Sequence, residues 1–351
     1  MQLVDLYMRA SLLPPPLLLL LLPPPVVVFE QHRMTPKINP SSLFSLPRIL
    51  RFPRFILSHT RKFRIPAPTM TRGAVVCVAH GGGPMPVLGD PGHASITASL
   101  KTRVPKILKL DTPDAPRAIV VVTAHWSEGR PTISSGERHD LYYDYGGFPR
   151  EAYSLKYPAP GSPSIAQELK QALEKEGLSP ALDSRRGWDH GVFIPLLLIN
   201  PAANIPVIQL SVLASEDPDE HFRMGRALSA LRDSSVAILG SGFASLHNLG
   251  KMRSLFLGDP VAAKKLAKQV GEWNSELTDA VAKGKRNDRE KALSGWRKFP
   301  HSYDMHPPRG GEHFMPLLVC AGAAGDEVAG VYQDEFHGMD IKTYYWGDVR
   351  V

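Results

Sequence analysis

Four histidines stand where an apolar run ends or begins, which is where side chains of an α/β protein can converge. His80 follows "AVVCVA", His125 ends "AIVVVTAH", His247 comes shortly after "VAILGSG", and His313 precedes the apolar run "FMPLLVCAGA". Neutral imidazole is the commonest metal ligand and suits Zn, Fe and Ni. A catalytic metal needs about three protein ligands and an open position. The four together predict a metal site, although a hydrogen-bonded structural role is the alternative for each one alone.

The glycines after His80 do not form a nucleotide-binding motif. "HGGGPMP" has neither the Lys-Ser/Thr pair of a P-loop nor the GxGxxG spacing of a dinucleotide fold. Pro84 and Pro86 also oppose a helix that would start directly after the glycines. We therefore expect a loop whose glycines let a substrate approach a metal-bound imidazole.

Other residues indicate chemistry less strongly. His190 lies beside Asp189, so it is either an acid/base or substrate contact or a structural histidine oriented by the carboxylate. The aromatic-rich stretch 140–163 could line a pocket for a planar ring or pack a long surface loop. His306 lies in the loop 301–313 and could approach the substrate. Six histidines of residues 73–351 do not stand at a strand end, and by default we expect a structural or solvated role for them: His93, His139, His221, His301, His306 and His337.

Short β-branched runs alternate with amphipathic stretches along residues 73–351. Strands are predicted at 74–79, 118–124, 205–212 and 236–242, and continuous apolar runs of this kind suit central strands covered on both faces. Helices are predicted at 162–177, 217–233 and 259–284 from their Ser-Pro or Asp-Pro starts. The alternation predicts one α/β domain with a central, mostly parallel sheet flanked by helices. The metal site should then lie at the carboxyl ends of the strands.

Residues 1–72 differ in composition from the rest of the chain. They hold twelve of the 33 prolines, and their charge balance is +8, against −1 for residues 73–351. The proline triplets leave only six consecutive leucines, far short of the roughly 20 residues that span a bilayer. The Arg-rich, acid-poor part that follows loosely fits a mitochondrial transit peptide. We expect a leader that is disordered or absent from the mature protein, with translation starting at Met1 or at Met70.

Charge and cysteine content limit the partners and the compartment. The net charge of +7 belongs to the leader, and no basic stripe with interleaved aromatics is present, so nucleic acid is not an expected partner. Cys77 and Cys320 both lie in apolar runs, which predicts buried free thiols rather than a disulfide framework. A cytoplasmic location is expected, or a mitochondrial one if residues 1–69 are a transit peptide.

Seven motifs, in order, resemble the class III extradiol ring-cleavage dioxygenases, specifically the LigB-like 4,5-DOPA dioxygenase family. They extend over about 73–350 and read "AHGGGPMPVL", "VVVTAHW", "HDLYYDYGGFPREAYSLKYPAPGSP", "WDHGVFIPL", "IPVIQLSV", "GSGFASLHNL" and "GEHFMPLLVCAGA". The chain departs from the family at Gly82–Gly83, where a Gly-Ser pair is usual. It also has one residue more than usual before His247.

The resemblance implies a metal site at His80, His125 and His313, with His247 as a fourth ligand or as an acid/base residue. It places His190 on the substrate side of the pocket, and it leaves Glu312 as an alternative ligand to His313. It implies Fe(II) for activity, with Zn(II) able to occupy the same site. The implied partners are a catechol such as DOPA and O2, with no nucleic acid and no membrane, in a monomer or small homo-oligomer.

Two other functions are compatible with such a site. A non-catalytic metal-binding or redox-regulatory protein of the same fold would bind metal tightly without turnover. A zinc hydrolase ranks last, because the sequence has no obvious second carboxylate for it.

Overall fold

The computed structural model describes residues 71–256 and 258–351. Its strands follow one another along the chain as β1 (Val75–Ala79), β2 (Ala118–Glu128), β3 (Thr132–Ser134), β4 (Ala181–Asp183), β5 (Val207–Leu213), β6 (Val236–Gly242), β7 (Gly330–Phe336) and β8 (Met339–Trp346). They form one sheet in the order β4-β3-β5-β2-β6-β1-β8-β7.

The four predicted strands are the four central ones. β5, β2, β6 and β1 lie side by side and are parallel to one another, so their carboxyl ends share one edge. Their side chains are buried along almost their whole length, as expected for strands covered on both faces. The antiparallel pairs lie outside this block, where β8 joins β1 and β7, and β3 joins β5. The predicted mostly parallel α/β domain is therefore confirmed.

Nine α-helices surround the sheet in the described part of the chain. They are α1 (Ala94–Ile107), α2 (Pro163–Lys175), α3 (His190–Ile199), α4 (Pro218–Arg232), α5 (Leu249–Phe256), α6 (Pro260–Val281), α7 (Arg286–Ser294), α8 (Ser302–Met305) and α9 (Met315–Ala323). None of them combines the length and the apolar character that a bilayer span requires.

The three predicted helices begin as their sequences indicate. The side chains of Ser162, Asp217 and Asp259 each accept a hydrogen bond from a backbone N–H in the first turn of α2, α4 and α6. Each is followed by a proline, whose missing N–H costs nothing at the first helical position. These caps fix where the helices start.

The leader predicted over residues 1–72 lies outside the described residues except for its last two. Thr71 donates a hydrogen bond to Asp114, and Arg72 forms ion pairs with Asp233 and Glu327. The two cysteines, Cys77 and Cys320, are buried free thiols, as predicted.

Candidate metal centre

Three histidine rings converge at the carboxyl edge of the parallel strands. His125 Nε2 lies 3.1 Å from His80 Nε2 and 3.2 Å from His313 Nε2. His80 and His313 are buried, whereas 20% of the His125 side chain is exposed, which leaves an approach from that side. The structure thus brings together three of the four predicted metal-site histidines.

These distances match what one shared metal ion requires. Imidazole nitrogens bind Zn²⁺ at about 2.0–2.1 Å. Two ligands at that distance, with an angle of about 90–110° between them, are therefore separated by roughly 2.9–3.4 Å. Both separations from His125 fall in this range, and the donor atoms of all three histidines lie close enough together to hold a metal ion.

The hydrogen bonds of His80 point its Nε2 lone pair toward the other two rings. Its Nδ1 lies 3.1 Å from Ser241 Oγ, and the Ser241 hydroxyl donates its own hydrogen to the carbonyl of Gly191. Ser241 Oγ must then accept from His80, so the ring hydrogen is on Nδ1. Ligand histidines in metal sites are oriented in this way by an acceptor behind the ring.

Carboxylates stand behind the other two rings. Glu312 Oε1 lies 2.8 Å from Nδ1 of His313, and Asp144 Oδ2 lies 3.4 Å from Nδ1 of His125. Because an ionised carboxylate only accepts, the hydrogen bond to Glu312 keeps Nε2 of His313 free to bind a metal. Glu312 therefore supports His313 from behind and is not part of the three-nitrogen group.

Local backbone features place these rings. His125 lies within β2 at an irregularity, where the pairing with β5 jumps from Thr123 to Ser127. Such a bulge re-aims a side chain that a regular strand would direct elsewhere. Helix α3 then packs so closely that a Cβ on Gly191 would lie 2.6 Å from Thr123 Oγ1 and 3.0 Å from His125 Cδ2. Glycine at position 191 is needed for this approach.

His190 begins α3 and shares Asp144 with His125. Asp144 Oδ1 accepts hydrogen bonds from both the backbone N–H (2.9 Å) and Nδ1 (2.8 Å) of His190. A carboxylate at a helix N-terminus is favourable because it meets the positive end of the helix dipole. The centroids of the His190 and His125 rings are 3.8 Å apart. Sequence reasoning missed Asp144; its only signal was a lone acid between the tyrosines of "YYDYGG".

His247 lies on the other side of the group, stacked on His313. The two ring centroids are 3.3 Å apart and the rings are nearly parallel, at 11°. His247 Nδ1 lies 3.7 Å from Glu312 Oε1, so His247, Glu312 and His313 form a second group of possible donors. The assignment of His247 as a fourth ligand or an acid/base residue stays a prediction.

Burial keeps these imidazoles neutral. Loss of solvent lowers the pKa of His80, His125 and His313 well below the usual histidine value, and the neighbouring imidazoles lower it further. For His247 the same burial lowers the pKa to about 3. Neutral rings offer lone pairs to a metal, so the donor set fits a divalent cation.

Asp189 precedes α3 directly and holds the start of this helix in place. It is fully buried and accepts hydrogen bonds from Thr123 Oγ1 (2.8 Å), Gln209 Nε2 (3.0 Å) and Arg186 Nη2 (3.2 Å). Arg186 in turn donates to the carbonyl of His125. Asp189 therefore ties His190 and His125 to the sheet instead of contacting the His190 ring.

The aromatic stretch 140–163 packs as a loop, and its role in lining a pocket for a planar ring stays a prediction. The hydroxyls of Tyr143 and Tyr145 donate to the carbonyls of Leu155 and Ala152, which packs the loop on itself. Tyr145 also reaches the site, with its ring 5.8 Å from His190.

His306 has the structural role expected by default. It is fully buried and donates from Nε2 to the carbonyl of Ala244. Its ring packs among Trp273, Trp296 and Phe314.

Comparisons with known proteins identify the family of this chain. The sequence profile described as the catalytic LigB subunit of aromatic ring-opening dioxygenase matches residues 78–344. The chain is 55% identical over 280 residues to "Dioxygenase tasH" of Hapsidospora irregularis, which covers 78% of this chain and 85% of that protein. It is 37% identical over 212 residues to "4,5-DOPA dioxygenase extradiol" of Beta vulgaris, with 60% and 74% covered.

A bacterial relative and a crystal structure extend the match. The chain is 33% identical over 267 residues to "4,5-DOPA dioxygenase extradiol" of Escherichia coli (strain K12), which covers 72% of this chain and 86% of that protein. The crystal structure of the uncharacterized protein JW3007 from Escherichia coli K12 superimposes with a TM-score of 0.59 at 29% identity, over 79% of this chain and all of that one. With the family profile matched over most of the domain and the strand-edge histidines in place, the chain belongs to the LigB family of aromatic ring-opening dioxygenases.

Proposed function

We propose that this protein is an Fe(II)-dependent extradiol dioxygenase that opens the ring of a DOPA-like catechol with O2. The observation that supports this most directly is the convergence of three Nε2 atoms, each with an acceptor placed behind its ring. Family membership supports a metal-dependent ring-opening dioxygenase with an aromatic substrate. The choice of metal and the choice of catechol belong to the proposal.

His80, His125 and His313 would hold the metal. When bound there, Fe(II) would supply the redox chemistry between a catechol and O2, which Zn(II) in the same ligands would not. The exposed side of His125 gives the substrate its approach.

Two further imidazoles would exchange protons with the catechol. His190 carries its ring hydrogen on Nδ1, bonded to Asp144, so its Nε2 lone pair is oriented to accept a proton from a catechol hydroxyl. Asp144 would stabilise the imidazolium that forms, as the carboxylate of a His–Asp pair does. His247 flanks a different ligand ring and is the second candidate for proton transfer.

The substrate assignment draws on the names of the relatives. Proteins from a plant and a bacterium, both called 4,5-DOPA dioxygenase extradiol, match most of this domain. The 55% identical relative is named only as a dioxygenase. A catechol with an amino-acid side chain is therefore the first substrate to test, within a panel that varies that side chain.

The test uses the full chain, purified without oxygen and loaded with Fe(II). Addition of a catechol and air should consume O2 and produce a yellow ring-opened product, whereas Zn(II)-loaded protein should do neither. The matched control is His125→Ala, which should lose metal binding and activity together. Tight Fe(II) binding without O2 uptake across the whole panel would overturn the proposal in favour of a non-catalytic metal-binding protein.

Two variants then separate proton transfer from ligation. His190→Gln and His247→Gln should each lower kcat/KM about 100-fold or more, because general acid–base catalysis typically contributes 10²–10⁴-fold. Zinc affinity should stay within tenfold of the wild type in both. A much larger loss of zinc affinity in His247→Gln would instead identify His247 as a fourth ligand.

A further inference from the structure

A second histidine–carboxylate cluster lies against the glycine loop that follows His80. It consists of Asp90, His93 and His337, whose donor atoms lie close enough together to surround a cation. His93 is almost completely buried, and none of the three belongs to the metal centre described above. The hydrogen bonds of His93 decide between ligand binding and loop support.

Both ring nitrogens of His93 form hydrogen bonds, and these bonds fix the position of the ring hydrogen. Gly82 donates its backbone N–H to His93 Nε2 at 2.9 Å, so Nε2 must carry a lone pair. The ring hydrogen is therefore on Nδ1, which lies 2.6 Å from Asp90 Oδ2. A metal on Nδ1 would move that hydrogen to Nε2, where it would face the Gly82 N–H. Ligation is thus incompatible with the bond to Gly82, and the cluster fits loop support.

The loop is built against the His93 ring. Gly81 has a φ of +85°, and a Cβ at this position would lie 2.4 Å from Pro86 Cγ and 2.9 Å from His93 Cδ2. Any side chain at position 81 would push the loop off the imidazole. The bond to Gly82 and the contact at Gly81 thus hold the two residues directly after His80.

A continuous line of rings also joins His93 to His80. The His93 and Phe336 centroids are 4.9 Å apart, Phe336 and Phe243 are 5.2 Å apart, and Phe243 meets the His80 ring edge-on at 6.4 Å. Close-packed interiors transmit displacements of this kind. His93 is therefore connected to His80 both through the backbone and through packed side chains.

We propose that His93, oriented by Asp90, is a positioning residue that holds the Gly81–Gly82 loop and thereby fixes the direction of the His80 imidazole at the metal centre. The inference rests on the metal site of the proposed function, but not on the substrate or on turnover. It also gives Gly82 a defined role, namely the donation of its N–H to His93.

The experiment compares two substitutions of His93 that each keep one half of the bond pattern. His93→Gln places an acceptor near the position of Nε2 and can still accept from Gly82, whereas His93→Asn reaches only the position of Nδ1 and Asp90. The readout is the dissociation constant of Zn(II), measured by competition with a chromophoric chelator. We expect about tenfold weaker binding in His93→Asn, at the lower end of what residues behind metal ligands contribute, and less than threefold in His93→Gln.

His221 provides the matched control. Its Nε2 accepts from the Leu213 N–H at 3.0 Å and its Nδ1 lies 2.7 Å from the carbonyl of Asp217, so its bond pattern resembles that of His93 in another part of the fold, between α4 and the end of β5. His221→Asn should lower the melting temperature and leave the zinc dissociation constant unchanged. A general effect of losing such a histidine would instead weaken zinc binding equally in both Asn variants, and that result would overturn the proposal.

The remaining outcomes are also decisive. Wild-type zinc affinity in a folded His93→Asn protein would refute the positioning role. If His93→Asn does not fold, Asp90→Ala takes its place, because it removes the acceptor that keeps the ring hydrogen on Nδ1; it should weaken zinc binding in the same direction, and an unchanged affinity would refute the role. Failure of the catechol assay in the wild-type protein would refute the proposed function and leave these zinc measurements valid.

Discussion

Replacing Glu312 by glutamine distinguishes the two residues that could serve as the third ligand. The carboxylate lies 2.8 Å from Nδ1 of His313, while Nε2 of His313 joins the three-nitrogen group. In this geometry Glu312 orients a ligand, so Glu312→Gln should weaken metal binding only moderately. His313→Ala should remove a ligand altogether.

The two variants should raise the zinc dissociation constant by clearly different factors. A hydrogen bond to a charged group contributes about 1.5–3 kcal/mol and a neutral one about 0.5–1.5 kcal/mol. Since 1.4 kcal/mol corresponds to a factor of ten, Glu312→Gln should raise the zinc dissociation constant about tenfold. Structural zinc sites with four ligands bind Zn(II) with about 10–16 kcal/mol, which corresponds to about 2.5–4 kcal/mol for each ligand. His313→Ala should therefore raise the constant roughly 100- to 1000-fold.

The assay is a competition titration of Zn(II) against a chromophoric chelator, with thermal unfolding of each metal-free variant to confirm the fold. Burial raises the pKa of Glu312, so a mildly alkaline buffer keeps the wild-type carboxylate ionised. Equal losses in the two variants, or a larger loss in Glu312→Gln, would show that the carboxylate binds the metal and would refute the geometric argument.

Three further substitutions test separate parts of the structure. Ser241→Ala removes the acceptor behind His80 and should weaken zinc binding about tenfold in the same titration. Arg289→Met leaves several backbone carbonyls around the end of α9 without their donor and should lower the free energy of unfolding by about 3 kcal/mol in urea titrations. Backbone N–H donors lower the pKa of Asp183. At neutral pH the wild-type protein should therefore be more stable than Asp183→Asn, by at most about 1 kcal/mol. This difference in stability should disappear as the pH falls below about 4.

The central strands and the capped helices could be predicted because their signals are local. A strand such as "AIVVVTA" can be apolar throughout because both of its faces are covered. The Asp217-Pro218 pair marks the start of α4 within a few residues of sequence. The pair β7 and β8 was not predicted. β7 alternates buried and exposed residues, and it is recognisable as part of the sheet only once β8 pairs with β1.

The convergence of His80, His125 and His313 could be predicted, but the environments of their rings could not. His80 and His125 end apolar runs, and parallel strands bring such ends to one edge. The acceptors behind the rings come from distant segments: Ser241 is 161 residues from His80, and Asp144 is 46 residues from His190. No periodicity in the sequence encodes a contact of that kind, so the ring orientations emerge only from the packed structure.

Asp144 contacts both His125, a proposed metal ligand, and His190, the proposed proton acceptor, so these two proposed roles depend on each other. Its Oδ1 receives both hydrogen bonds from His190, and its Oδ2 faces Nδ1 of His125. A proton arriving on His190 would draw the negative charge of Asp144 toward Oδ1 and weaken the support behind His125. A substrate that delivers a proton to His190 would thereby alter the electron donation of one metal ligand at the same moment. In the proposed function, a single carboxylate, supplied by a tyrosine-rich loop rather than by the sheet, would couple proton transfer at His190 to the electron donation of His125.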